Sequence, residues 1–265
     1  MRVLLSVLML ALATSTWADE IPSAPAQAAE AAEAAVTGID VDYGSFGDAP
    51  LHGYLAFPRL ASHELPGVLV FHEWWGLNGY VREMTRQLAA QGYVALALDF
   101  YEGHVARTPE DARSSMQDAL ARRTGMADNV LQGYDFLKRK MKVRQIDALG
   151  WSFGGTMVYQ SGLLLGNKLN GLVIYYGNVG SDATELAKLP PVLALYGAQD
   201  AGIPVEIPQA FERGLKAIDH PVILRLYADA DHAFANPSSP TYAAAAAADA
   251  WQTTLAFLKA TLQKK

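Results

Sequence analysis

The strongest constraint on the fold is a series of short, uninterrupted apolar runs. "GVLVF" at 67–71, "YVALAL" at 93–98, "IDALGW" at 146–151, "LNGLVIYYG" at 169–177 and "PPVLALYG" at 190–197 lack the polar alternation of a half-exposed strand. Runs of this kind are strands covered on both faces. Between them lie stretches with helical spacing: 77–93, stopped by Gly92; 109–141, read as two helices broken near Gly125; and 153–165. Apolar strands alternating with helices make an α/β fold, a mostly parallel sheet with helices on both faces. "IDVDYGSF" and "LHGYLAFP" add two strands before these, joined by a turn around Gly47 to Pro50, and a further strand sits in "PVILRLYADADH". Helices are expected over 208–218 and 242–262.

Such sheets hold their ligands beyond the carboxyl ends of the strands. The stretch "DALGWSFGGTMVY", residues 147–159, places a serine at such an end. Gly150, Ser152 and Gly154 fit G-x-S-x-G between a strand and a helix, the context of a nucleophile elbow. The glycines admit the sharp turn, and the helix start supplies N–H groups that stabilise negative charge.

A serine is inert at neutral pH without a base, and the base needs an acid to orient it. In this architecture the chain order is Ser, then Asp or Glu, then His. His220 and His232 are the histidines after Ser152; His220 precedes a strand and so faces the other end of the sheet. His232 follows one, in "YADADHAFANP", and is the chosen base. Asp200, in "LALYGAQDAGIP", also follows a strand and is the chosen acid, with Asp182, Asp229 and Asp231 as competitors.

The third stretch is "FHEWWGLN", residues 71–78. A zinc reading of its His-Glu pair would need a histidine where Gly76 stands, and the chain has no cysteine, so neither metal nor cofactor is expected. As the loop after an early strand, it is where a hydrolase of this type keeps a second oxyanion donor. The backbone N–H of Trp74 would join that of Phe153. Glu73 then stands next to the nucleophile, and His72 reads as a structural histidine. Tyr101, Trp74, Trp151 and Phe234 either wall a substrate pocket or fill the core.

These stretches together resemble the dienelactone hydrolase family of α/β-hydrolases, from about Val41 to Leu258. "GVLVFHEWWGLNGYVREMTRQLAAQGYVALALDFYEG", "LGWSFGG", "YGAQDAGIP" and "DHAFAN" carry the likeness. It implies a triad of Ser152, Asp200 and His232, oxyanion donors Trp74 and Phe153, and Glu73 beside the nucleophile. The family prototype has cysteine where this chain has Ser152, so a thiol-tuning role for Glu73 does not transfer, and hydrogen bonding to Ser152 or His232 takes its place. The prototype's carboxylate-holding arginines match Gly103 and Asn236 here, with Arg107 as a substitute. The expectation is therefore a carboxylic ester hydrolase favouring small neutral esters. A non-catalytic binding protein on the same scaffold, or an acyltransferase or peptidase with the same triad, would use the same residues.

The first eighteen residues have the layout of a signal peptide: Arg2, an apolar run from Val3 to Ala13, and a cleavage pattern ending at Ala18. That run is too short to span a bilayer, which needs about 20 residues. Export to the periplasm or medium, without stable membrane insertion, is the expectation. Residues 19–36, rich in Ala, Pro and Glu, read as a tether to a domain covering 37–265. With no disulfide available, the domain depends on its core, and 51% of residues are hydrophobic. A net charge of -6 without basic clusters excludes nucleic acid and leaves a small-molecule ester or lactone as the partner.

Overall fold

A computed structural model describes residues 35–60 and 65–262. The signal-peptide and tether expectations fall almost wholly outside the described residues. Among the described residues the sheet has eight strands: β1 (Val36–Phe46), β2 (Ala49–Pro58), β3 (Gly67–Phe71), β4 (Val94–Leu98), β5 (Ile146–Trp151), β6 (Gly171–Tyr175), β7 (Val192–Gly197) and β8 (Val222–Tyr227). Their spatial order is β1-β2-β4-β3-β5-β6-β7-β8. β1 and β2 form an antiparallel hairpin, β2 runs antiparallel to β4, and β4 through β8 are parallel. This is the α/β-hydrolase arrangement.

The seven helices described are α1 (Gly79–Ala90), α2 (Pro109–Ala121), α3 (Arg123–Arg139), α4 (Phe153–Leu165), the short α5 (Ala183–Leu186), α6 (Glu206–Ala217) and α7 (Ala244–Leu262). Parallel strands joined by right-handed crossovers fix the side on which each helix lies. The chain steps one way from β3 to β4 and the other way from β4 to β5 and onward. Hence α1 covers one face, and α3, α4 and α6 the other. α7 returns across β5, β6 and β7 on the first face. Strands β3 to β7 are buried along their whole length, as their apolar runs require, whereas β8 at the sheet edge is half exposed.

The structure corrects the expected boundaries in several places. β1 begins at Val36, inside the expected tether, and the hairpin turn is confined to Gly47 and Asp48, because Pro50 pairs with Ser45. The break between α2 and α3 falls at Arg122, not near Gly125. Gly125 sits in the first turn of α3, where a glycine costs little because first-turn N–H groups have no helical acceptor anyway. The helix over 183–186 was not anticipated; Asp182 caps it, accepting from the N–H groups of Thr184 and Glu185 at 2.9 and 3.1 Å.

Candidate active site

The order of strands reverses around β3, which lies between β4 and β5. That reversal opens a crevice at the carboxyl edge, and the candidate residues gather there. Ser152 follows β5 at once, with φ of 54° and ψ of -117°. Side chains rarely adopt this left-handed region, which costs about 1–3 kcal/mol and survives only where the surroundings enforce it. Here the Ser152 N–H donates to the Tyr175 carbonyl at 3.0 Å, and the Thr156 N–H donates to the Ser152 carbonyl at 3.0 Å. Gly154 is required by close approach: a Cβ there would lie 2.3 Å from the Phe71 carbonyl oxygen.

Ser152 Oγ lies 2.8 Å from His232 Nε2. His232 Nδ1 lies 2.6 Å from Asp200 Oδ2. Ionised aspartate can only accept, so Nδ1 carries the imidazole proton and Nε2 is free to accept from the serine hydroxyl. The second oxygen of Asp200 accepts the N–H groups of Gly202 and Ile203, both at 2.8 Å. Burial pushes the Asp200 carboxyl up, but His232 and these backbone donors outweigh it and hold it below the ordinary aspartate range. The His232 ring rests against the buried Tyr176 ring, with centroids 5.2 Å apart.

The competitors are elsewhere. Asp182 caps α5, Asp231 accepts the His232 N–H at 2.6 Å, and Asp229 is exposed. His220 lies at the opposite edge, its Nε2 bonded to the Leu189 carbonyl at 2.6 Å. His72 is fully buried: Nδ1 donates to the Glu73 carbonyl at 2.6 Å and Nε2 accepts the Phe100 N–H at 3.2 Å. With both nitrogens used and burial lowering its pKa, it is a neutral tie between the loops after β3 and β4.

Glu73 is 2% exposed. Its Oε2 accepts from Asn236 Nδ2 at 2.6 Å, and Asn236 Oδ1 accepts the Ser238 N–H at 2.9 Å. Burial raises the Glu73 carboxyl to about 7, against the opposing pull of Asn236 and His232. The structure gives Glu73 no hydrogen bond to Ser152 or His232; its partner is Asn236, which ties the β3 loop to the histidine loop. Trp74 follows in the same loop. Phe153 opens α4, so its N–H belongs to the first turn, which no helical carbonyl reaches.

Ser152 and His232 line a cavity of about 680 Å³. Trp74, Trp75, Met116, Arg107 and Asn236 line it too, as do Ser238, Ser239 and Thr241. Three of the residues expected in its wall are not there. Trp151 and Phe234 are fully buried and Tyr101 nearly so. Trp151 packs on Tyr80 and Tyr175, because adjacent residues of an extended strand point to opposite sides of the sheet. Tyr101 packs on His72 and Phe153, and Phe234 on Tyr176 and Tyr227. Gly103 lines a different cavity, among Asp40, Asp42, His52 and Arg82. Met116 and the polar group 238–241 carried no motif. A hint lay in Thr241, nine residues beyond His232, whose hydroxyl donates to the His232 carbonyl. Among the described residues no cluster of His, Asp or Glu is suited to a metal ion.

The family model for the dienelactone hydrolase family matches residues 51–262. "Protein usf" of Aquifex pyrophilus is 31% identical over 219 residues, covering 79% of this chain and 93% of its own length. A protein of Escherichia coli (strain K12), provisionally named a carboxymethylenebutenolidase, is 28% identical over 271 residues, covering 89% and 94%. Among solved structures, a dienelactone hydrolase-like promiscuous phosphotriesterase from metagenomic libraries superimposes with a TM-score of 0.77 at 25% identity, covering 86% of this chain and 99% of that one. Fold, matched span and relatives agree: this chain belongs to the dienelactone hydrolase family of α/β-hydrolases and is a hydrolase of the ester or lactone type.

Proposed function

We propose that the chain cleaves carboxylic esters or lactones through a covalent acyl-enzyme on Ser152. The observation that carries this reading is the unbroken path Ser152 Oγ to His232 Nε2 to Asp200, at 2.8 and 2.6 Å. Ser152 Oγ attacks the carbonyl carbon while its proton passes to His232 Nε2. Asp200 keeps the imidazole in the receptive tautomer and stabilises the imidazolium that results. The backbone N–H groups of Trp74 and Phe153 receive the carbonyl oxygen as it becomes an oxyanion. Collapse expels the alcohol, which takes the proton from His232. Water, giving its proton to His232, then attacks the acyl-enzyme and releases the acid, and the proton returns to Ser152.

Neutral esters are favoured over an anionic lactone. Asn236 offers an amide already engaged by Glu73, and Gly103 opens on another cavity. Neither prototype clamp position thus offers a guanidinium, which leaves Arg107, exposed at the cavity lining, as the one cation to meet a carboxylate. A fluorophosphonate probe is expected to label Ser152. Ser152→Ala is expected to lose both the label and several orders of magnitude in esterase rate. Most of the activity surviving in that variant would refute the mechanism. A higher kcat/KM on dienelactone than on a short neutral ester would refute the preference.

A further inference from the structure

The catalytic cavity is lined by two unlike sets of residues. After the histidine, Ser238, Ser239 and Thr241 make a polar lip. The loop after β3 contributes Trp74 and Trp75, edge to face with ring centroids 5.1 Å apart, and α2 contributes Met116. α2 is capped by Thr108, which accepts the Asp111 N–H at 3.2 Å, and it packs on α3. Its inward stripe is Ala112, Met116 and Ala119, spaced as one helical face. The two alanines are buried and let the helix lie close. Met116, half-buried between them, is the one long side chain of the stripe, and it reaches the cavity that holds Ser152. A thioether on three rotatable bonds makes an adaptable apolar wall that contacts aromatic rings well.

The chemistry assigns the two sets. His232 must give its proton to the leaving alcohol, so the alcohol lies over the histidine and its polar lip. An apolar acyl group then needs an apolar seat, and the large apolar side chains lining the cavity are Trp74, Trp75 and Met116. Resting on the serine acyl-enzyme reading above, we propose that Met116 is a specificity-determining residue, and that the site takes esters whose acyl group is an apolar chain or ring seated against Met116, Trp74 and Trp75. The one permanent charge lining the cavity, Arg107, is exposed to solvent and belongs to no ion pair described. An anionic acyl group is thus the competing occupant of this cavity.

The test is a series of p-nitrophenyl esters, acetate through octanoate, with a succinate half-ester as the anionic arm. It is run on the full chain and on Met116→Ala, Met116→Gln and Met116→Phe, with thermal unfolding as a control for folding. The readout is the ratio of kcat/KM for octanoate over acetate. A single methylene's worth of pocket is worth about tenfold in such ratios. Wild type is expected to favour hexanoate over acetate by about that factor. Met116→Ala should raise the octanoate ratio about tenfold, Met116→Phe should lower it, and the near-isosteric Met116→Gln should lower it by loss of apolar contact alone. Ratios within twofold of wild type in folded variants would overturn the inference while leaving the esterase reading intact. So would a preference for the succinate ester over an apolar ester of equal length. Wild type that hydrolyses none of the esters would sink the reading beneath it, and this one with it.

Discussion

At Ser152 the backbone conformation and the chemistry pull in different directions. A φ of 54° suits glycine, yet the proposed mechanism needs a hydroxyl there. Ser152→Gly and Ser152→Ala both remove the nucleophile, but glycine alone relieves the conformation. Ser152→Gly is expected to unfold at higher denaturant than Ser152→Ala, by about 1 kcal/mol. Equal midpoints would mean that the turn stores no strain. In the proposed mechanism Asp200 works through orientation instead. Asp200→Asn keeps the shape but offers an amide to Nδ1, favouring the wrong tautomer. Its kcat is expected to drop by about 10⁴, with the fold and substrate KM little changed.

At the scale of elements, the site depends on how closely α4 approaches the sheet. A Cβ on Gly155 would lie 2.6 Å from the Tyr175 carbonyl oxygen, and one on Gly177 would lie 2.4 Å from the Gly155 carbonyl carbon. Gly155→Ala must therefore push α4 off β6, moving Ser152 away from His232. We expect about 1–3 kcal/mol of destabilisation together with a fall in kcat, read by thermal unfolding and steady-state kinetics. The strand-helix alternation, the elbow and the order of the candidate residues Ser152, Asp200 and His232 were legible in the sequence, because each is local: an apolar run ends and the candidate group follows it. What depends on distant partners was not. Asn236 meets Glu73 across 163 residues, and nothing near either residue announces that pairing. Met116 lines the cavity from a helix whose buried Ala112 and Ala119 share its face, and no motif marks that face in the sequence. Trp151, Tyr101 and Phe234 stood beside motifs, but strand alternation and aromatic packing turned them into the core.

Across the described molecule, two of the four buried carboxyls, at opposite edges of the sheet, are raised by their burial. Glu73 lies at the active edge, and Asp147, at the amino end of β5, accepts a hydrogen bond from Thr261 of α7. Burial raises both, Glu73 from 4.5 and Asp147 from 3.8, each to about 7. The folded chain thus holds these protons more tightly than the unfolded chain. Their contribution is most favourable below about pH 4 and is lost as pH rises toward 7, a change of about 3 to 4 kcal/mol each. Asp147→Asn is expected to match wild type at pH 4 and to melt several degrees higher at pH 8. A melting difference that does not vary with pH would refute this.

The 80-residue separation of Ser152 and His232 has a consequence for synthesis. An emerging polypeptide exposes its alcohol long before the final strand and the imidazole behind it have left the ribosome. On the proposed mechanism, until β8 docks beside β7 His232 is not in place to accept the hydroxyl proton, so chains cut short before it are expected to lack esterase activity. Turnover is then expected to report that β8 is in place, and in refolding it should recover no earlier than the far-ultraviolet signal of the sheet and helices.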